Sequence, residues 1–205
     1  VGGIALTGVT SHLMPLQFRF VMSAKRADDL PDSPAEVALV GRSNVGKSSL
    51  VNVLANQRQL AKVSNTPGRT QSLNLFVLPT GATVVDLPGY GYAAVPGREK
   101  RAWGPMIEHY LLERDPLVMI YVLVDGEIGP TKLDLQMLDW LRDNDLPHQI
   151  VATKIDKVKP SRLAGRKQQL AAACSLDEGD VLWVSASKKT GIDRLQASIA
   201  AMLST

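Results

Sequence analysis

The segment Gly41–Ser48, GRSNVGKS, carries the residue types that hold a chain of phosphates. Its spacing fits Gly-x-x-x-x-Gly-Lys-Ser, the P-loop pattern. Gly41 and Gly46 let the backbone curl, so that successive N–H groups point inward at an anion. Lys47 places a cation on the outer phosphates, and Ser48 offers a hydroxyl to Mg²⁺. The run Glu36-Val37-Ala38-Leu39-Val40 reads as a strand entering this loop, and Ser48 to Asn56 as a helix leaving it. The helix start adds unpaired N–H groups and the positive end of its dipole. A nucleoside triphosphate with Mg²⁺ is the expected ligand.

Three more elements follow in order, each after an apolar run. Asp86-Leu87-Pro88-Gly89 ends the run Ala82–Val85. A carboxylate there can hold Mg²⁺ through water, and the Gly89 N–H can meet a γ-phosphate. Alone, Asp-x-Pro-Gly is also an ordinary turn. Thr153-Lys154-Ile155-Asp156 follows Gln149–Ala152 and resembles the NKxD guanine-recognition element of GTPases, with Thr153 in place of Asn. A carboxylate at Asp156 can accept from guanine N1–H and the 2-amino group together, a donor pair that adenine lacks. The Lys154 stem can cover the base face. Ser185-Ala186-Ser187-Lys188 follows Val181–Val184 and resembles the loop whose backbone N–H supports guanine O6. All four elements stand at strand ends, where open α/β sheets bind ligands.

The elements that must position these residues are legible as an alternation. Leu16 to Met22 reads as a leading strand, and Asp28 to Pro34 as a polar connector. Leu73–Leu78 and Ala82–Asp86 flank Pro79-Thr80-Gly81, a hairpin turn. Leu117–Val124, His148–Thr153 and Asp180–Val184 are continuous apolar runs, as buried parallel strands require. Helical patterns fall at Arg98–Arg114, Lys132–Asn144, Ser161–Ala173 and Ile192–Met202, the last with Ile192, Leu195, Ile199 and Met202 on one face. The expected fold is α/β: a three-layer P-loop sandwich on a mostly parallel sheet with one antiparallel edge hairpin. Residues 1–15 read as a disordered N-terminal extension, and 16–205 as a single domain.

Composition narrows the classes. A chain of 205 residues can bury a sizeable core. Its single cysteine, Cys174, rules out an internal disulfide and suits a reducing cytoplasm. Its plainest role is a small filler on a helix face. His12, His109 and His148 lack metal-ligand spacing. The longest apolar run, Leu117–Val124, is too short for a bilayer, so no membrane partner is expected. The N-terminus does not read as a signal peptide. A net charge of +3 permits RNA contact without requiring it. Basic residues gather at Lys154, Lys157, Lys159, Arg162, Arg166 and Lys167, at Arg98, Lys100 and Arg101, and at Lys188, Lys189 and Arg194. Each cluster alone is better read as a solvated face.

From about Phe18 to Leu203 the chain resembles the EngB (YihA/YsxC) family of bacterial ribosome-assembly GTPases, within the TrmE-Era-EngA-EngB-Septin-like class. The resemblance is carried by Ser23-Ala24-Lys25, Leu30-Pro31, GRSNVGKSSLVN, Thr66-Pro67-Gly68-Arg69-Thr70-Gln71, Asp86-Leu87-Pro88-Gly89-Tyr90-Gly91-Tyr92-Ala93, Val124-Asp125-Gly126 and Asp134-Leu135-Gln136-Met137. Trp103 and Tyr110 fall in a helix of the expected kind, and the Thr of TKID is a family trait. Gly126 and Glu127 stand where a Ser-Arg pair is common.

The resemblance implies a Ras-like G domain and a slow GTPase acting as a GTP/GDP switch in large-subunit assembly. It also implies a requirement for normal cell division and septation, and rRNA among the partners. No oligomerisation element is evident, so a monomer is expected. Nucleotide contacts are expected from Gly41, Arg42, Ser43, Asn44, Val45, Gly46, Lys47, Ser48 and Ser49. Gly68, Arg69, Thr70, Gln71 and Ser72 form the next group, then Asp86, Leu87, Pro88 and Gly89, then Thr153, Lys154, Ile155 and Asp156, and last Val184, Ser185, Ala186 and Ser187. Mg²⁺ falls to Ser48, Thr70 and, through water, Asp86. Catalysis falls to Lys47, Thr70, Gly89 and Asn44.

Thr70 lies in a mobile first switch, Asn65–Ser72, that should order on the γ-phosphate. Gly89–Gly97 should be the second switch, presenting Tyr90 and Tyr92 to a partner. Tyr90 stands where Ras-like enzymes carry a water-orienting Gln, so no catalytic side chain is evident in cis. Asn44 matches a position linked to K⁺ activation in related GTPases; a bond that merely shapes the P-loop is the other reading. A non-hydrolysing, guanine-nucleotide-gated binding module is the alternative function, and an ATP-using P-loop enzyme a third.

Overall fold

The protein is described here as a computed structural model covering residues 16–57, 60, 72–91 and 103–204. Its strands are β1 Arg19–Ala24, β2 Glu36–Gly41, β3 Leu73–Val77, β4 Thr83–Asp86, β5 Leu117–Asp125, β6 His148–Thr153 and β7 Leu182–Trp183. Its helices are α1 Lys47–Leu54, α2 Pro105–Glu113, α3 Lys132–Asp143, α4 Pro160–Ala173 and α5 Ile192–Met202.

The strands form one seven-stranded sheet in the order β1-β3-β4-β2-β5-β6-β7. β4, β2, β5, β6 and β7 pair in parallel. The expected hairpin is present as β3–β4, and β1 adds antiparallel to the outside of β3. The hairpin therefore lies one strand in from the edge, and β3 alone runs against the rest. Local patterning could show the turn at Gly81, with its positive φ of 87°, but not the long-range pairing of β1.

Side-chain alternation builds the two cores. Val37 and Leu39 of β2 face one side with Leu50, Leu54, Leu195 and Ile199, while Ala38 and Val40 face the other with Tyr110, Leu138, Leu141 and Leu170. β5 splits the same way, Tyr121 and Leu123 against Ile120, Val122 and Val124. Thus α1 and α5 cover one face and α2, α3 and α4 the other: the three layers expected from the alternation. Ile192, Leu195 and Ile199 are buried on the inner side of α5, with Met202 partly buried beside them. Cys174, just past α4, is buried in the core of the opposite face, the one that holds Leu141, Leu170 and Val181, and burial pushes its thiol up to about 11. Among the described residues no helix is long and apolar enough to cross a membrane.

Several boundaries differ from expectation: the leading strand, expected over Leu16 to Met22, runs Arg19–Ala24, and the first helix, expected over Ser48 to Asn56, runs Lys47–Leu54. The helix expected over Arg98–Arg114 begins at Pro105, and residues 98–102 lie outside the described residues. Gly104, before a proline, is held extended at φ −77° and ψ 171°, so Trp103 precedes the helix instead of lying in it. β7 is shorter than expected because Glu178–Asp180 winds into a 3₁₀ turn, where the Glu178 carbonyl accepts from Trp183 Nε1 at 3.1 Å.

The far end of β2 is tied to α2 by a buried ionic knot. Glu36 is fully buried and accepts from Tyr110 OH at 2.7 Å, Arg114 Nε at 2.9 Å and Thr83 Oγ1 at 2.7 Å. Arg114→Met keeps the stem and removes the cation, leaving an uncompensated carboxylate. Chemical denaturation should show a loss of about 3–5 kcal/mol. A loss near zero would mean the knot contributes nothing net.

Candidate functional site

The predicted phosphate loop is built at the carboxyl end of β2. Its backbone turns through Asn44 (φ 65°) and Gly46 (φ 102°), left-handed conformations that glycine adopts without a Cβ penalty. Val45 N–H donates to the Arg42 carbonyl at 3.2 Å and closes the turn. Gly46 is the N-cap of α1, with no side-chain capping bond and no acid in the first turn. The helix N-terminus therefore offers its N–H groups and dipole to an anion. Ser48 and Ser49 stand half-buried in that first turn, and Lys47 is buried.

β4 brings the second element alongside. Leu39 registers with Asp86, and Leu87 N–H donates to the Leu39 carbonyl at 3.0 Å. Leu87 and Pro88 are buried, which pins the turn. A Cβ on Gly89 would sit 2.9 Å from Ser43 Cα, so only glycine permits this approach. Ser43 Oγ donates to the Gly89 carbonyl at 3.2 Å. Lys47 Nζ is ion-paired with Asp86 Oδ1, the two side chains 9% and 3% exposed. The expected phosphate cation is thus held by the expected Mg²⁺-side carboxylate.

The third element closes on the loop from β6. Thr153, buried, donates from Oγ1 to the Val45 carbonyl at 2.7 Å and lies 3.2 Å from that of Val124. This is the work of the residue that departs from NKxD: a short hydroxyl clamps the P-loop. Thr153→Val preserves shape and leaves the Val45 carbonyl without this donor. A stability loss of about 1–2 kcal/mol and weaker nucleotide binding should follow, read by denaturation and titration. Unchanged affinity would mean the clamp has no bearing on the loop. Lys154, at φ 55°, sends Nζ across the P-loop to the Asn44 carbonyl and to Asp125 Oδ2, each at 2.7 Å. Its stem passes over Gly46.

Asp156 stands at the rim. Its carboxylate accepts from Ser185 Oγ at 2.6 Å and Ser187 Oγ at 2.8 Å. The Ser185 hydroxyl, more than the Ser187 one, holds the carboxyl below its ordinary range against the opposing pull of burial, so Asp156 is an acceptor at neutral pH. Ser185 is fixed in turn by Lys188 N–H at 3.0 Å and by the Ser185–Thr190 bridge. Ile155 N–H donates to the Val184 carbonyl at 3.4 Å, joining the third element to the fourth.

Gly46, Ser49, Thr153, Lys154, Asp156, Val184, Ala186 and Ser187 line one cleft of about 160 Å³. Leu50 and Lys157 line it too, though sequence reasoning gave them no part. Asp125 was also missed as a site residue; a lone acid ending the apolar strand β5 was its signal. Ser72 is described and half-buried at the start of β3. Gly68, Arg69, Thr70, Gln71 and Tyr92 lie outside the described residues.

One expectation is overturned. Tyr90 presents no surface: it is 2% exposed, and its hydroxyl donates to Asp134 Oδ1 at 2.7 Å. An apolar shell with Trp103 explains this, the rings meeting edge to face at 6.2 Å.

Among the described residues no cluster of three or more His, Cys, Asp or Glu could cage a metal. The hard oxygens present, Ser48 and Asp86, are few, which suits Mg²⁺ held mainly by phosphate and water.

The sequence compares closely with known proteins. An EngB GTP-binding protein of Pelobacter propionicus is 45% identical over 179 residues, 87% of this chain and 90% of that one. The chain belongs to the EngB family of GTP-binding proteins. An EngB relative from Heliobacterium modesticaldum is 49% identical over 152 residues, 74% of each chain. Residues 36–154 match the family described as "50S ribosome-binding GTPase", so the EngB assignment carries a GTPase domain with it. A crystal structure of an EngB protein shares the fold at a TM-score of 0.65 and 22% identity, covering 82% of this chain and 98% of that one. Era, solved with MgGDPNP and nucleotides 1506–1542 of 16S ribosomal RNA, gives 0.59 at 24% identity, with 82% and 56% covered. NFeoB from S. thermophilus, solved with GDP.AlF4⁻ and K⁺, gives 0.55 at 25%, with 82% and 62% covered.

Proposed function

We propose that this EngB family member is a GTP/GDP switch with slow intrinsic hydrolysis, acting in assembly of the large ribosomal subunit. The observation that carries the guanine reading is Asp156, ionised at the rim of the cleft that begins at the P-loop. A carboxylate has about four lone-pair sites, so one carboxylate can keep the Ser185 bond and still accept from guanine. Ala186 and Ser187 supply the backbone edge for O6.

At the phosphate end, Lys47 exchanges its Asp86 partner for the nucleotide's outer phosphates, and the Gly89 N–H meets the γ-phosphate. Ser48, Thr70 and, through water, Asp86 would hold Mg²⁺, which would supply positive charge against the nucleotide's phosphates. Tyr90 is buried against Asp134, so its phenol cannot orient a water. Slow turnover without a partner is the expected consequence.

Asn44 is exposed at the loop's left-handed turn, and we assign it to a K⁺ that spreads positive charge over the β–γ bridge. Turnover should be faster in K⁺ than in Na⁺ at equal ionic strength. Equal rates would remove this role.

The partner proposed is the large subunit or its precursor, including rRNA. The family description and the exposed basic residues Lys157, Lys159 and Arg162 beside the cleft support this. The protein then works in the cytoplasm as a monomer, and loss of assembly would surface as failed cell division and septation. Sedimentation with large subunits in GMPPNP and in GDP tests the partner. Binding should favour GMPPNP and weaken steeply with salt. Equal, salt-insensitive recovery in both nucleotides would contradict it. The buried Tyr90 equally favours a second reading, a nucleotide-gated binding module that does not hydrolyse at a useful rate. Competition by ATP would expose the third, an adenine-using enzyme.

A further inference from the structure

The residue after Gly89 is held on three sides. Tyr90 N–H donates to the Gly41 carbonyl at 3.3 Å, and the Tyr90 carbonyl accepts from Ser43 N–H at 3.0 Å. These bonds fasten it to the P-loop backbone. Its ring packs on Trp103, which packs in turn on Trp140 at 5.7 Å. Its hydroxyl reaches Asp134, 1% exposed, on the first turn of α3. Asp134 is already committed: Oδ2 accepts from Thr131 N–H at 2.8 Å and Thr131 Oγ1 at 2.7 Å, closing the capping box of α3. The cap thus orients the carboxylate and leaves Oδ1 for Tyr90. Burial, then the Asp134 charge, raises the phenol well above its ordinary range, so it keeps its proton and donates.

We propose that the bond from Tyr90 to Asp134 is a latch that fixes the Gly89 peptide against the P-loop and so sets the preference for the nucleoside triphosphate over the diphosphate. The inference rests on the proposed function, in which the Gly89 N–H meets the γ-phosphate. A donor fixed in advance costs no reorganisation when that phosphate arrives. The diphosphate has no group there and gains nothing from it. A ligand shifts preference only through an interaction that one form makes and the other does not. Packing alone does not require the hydroxyl, because phenylalanine would fill the same space. Tyr90 is therefore a positioning residue.

The fold contains its own control. Tyr110 donates to buried Glu36 at 2.7 Å, the same chemical pair at the opposite end of β2. The experiment is titration of GMPPNP and GDP against the unsubstituted chain, Tyr90→Phe and Tyr110→Phe. Tyr90→Phe should lower GMPPNP affinity about tenfold and leave GDP affinity unchanged. Tyr110→Phe should leave both unchanged. Equal loss of both nucleotides in Tyr90→Phe, or an unaltered ratio, overturns the latch. Should Tyr90→Phe fail to fold, amide exchange on the unsubstituted chain decides. The Tyr90 and Ser43 amides should be protected equally in GDP and GMPPNP, and rapid exchange in GDP overturns a preformed donor. An unsubstituted chain that binds neither nucleotide would overturn the proposed function itself, and the latch with it.

Discussion

Lys47→Ala is expected to abolish tight nucleotide binding and, by a separate route, to weaken the empty fold. The first effect removes the cation expected on the outer phosphates. Charge-assisted contacts of this kind are about twice as strong as neutral ones, so affinity should fall by orders of magnitude. The second effect arises because Asp86, 3% exposed, loses its only described cationic partner. Breaking one side of a buried pair costs about 3–5 kcal/mol. The double substitution Lys47→Ala with Asp86→Asn separates the two. Denaturation should show most of the stability restored, because a neutral amide is cheaper to bury, while titration still shows no tight binding. Wild-type affinity in the single variant would refute the P-loop assignment.

Asp156→Asn should change which base is bound. The carboxylate, kept ionised first by the Ser185 hydroxyl, accepts only. An amide presents one donor where guanine also presents one, leaving a clash of donors and an unmatched polar group. GTP affinity should fall steeply, toward the factor of about 10⁴–10⁵ by which a site built for hydrogen bonding rejects a mismatched partner. Xanthine carries a carbonyl in place of the 2-amino group and should gain. Competition between GTP and XTP reads the switch directly. Retained guanine preference would show that Asp156 is not the base reader. The fold should survive, because Asp156 is exposed and Asn still accepts from Ser185.

Much of this site was legible because its geometry is local. A strand, a glycine turn and a helix start occupy consecutive residues from Glu36 to Leu54, and each must adopt its conformation for the others to form. The same holds for Asp86–Gly89 after β4 and Thr153–Asp156 after β6. What escaped was long-range. The capping box of Thr131 and Asp134 spans 3 residues, but the bond from Tyr90 to Asp134 spans 44. Nothing local to Tyr90 says whether its ring turns outward or inward; Trp103 and Trp140 decide it, and they come from other elements. In the sequence Thr153 stands only as a family trait; its reason lies in Val45, 108 residues earlier, whose carbonyl accepts its hydroxyl. The place of β1 outside the hairpin is likewise a pairing of distant segments, with Ala24 against Leu73.

Turnover of GTP in K⁺ buffer, with and without large ribosomal subunits, tests the proposed switch most directly. Slow hydrolysis by the free protein, clearly accelerated by the particle, is the expected result. GTP-dependent binding to the particle with no acceleration would contradict a hydrolytic switch and leave the nucleotide-gated binding module in its place.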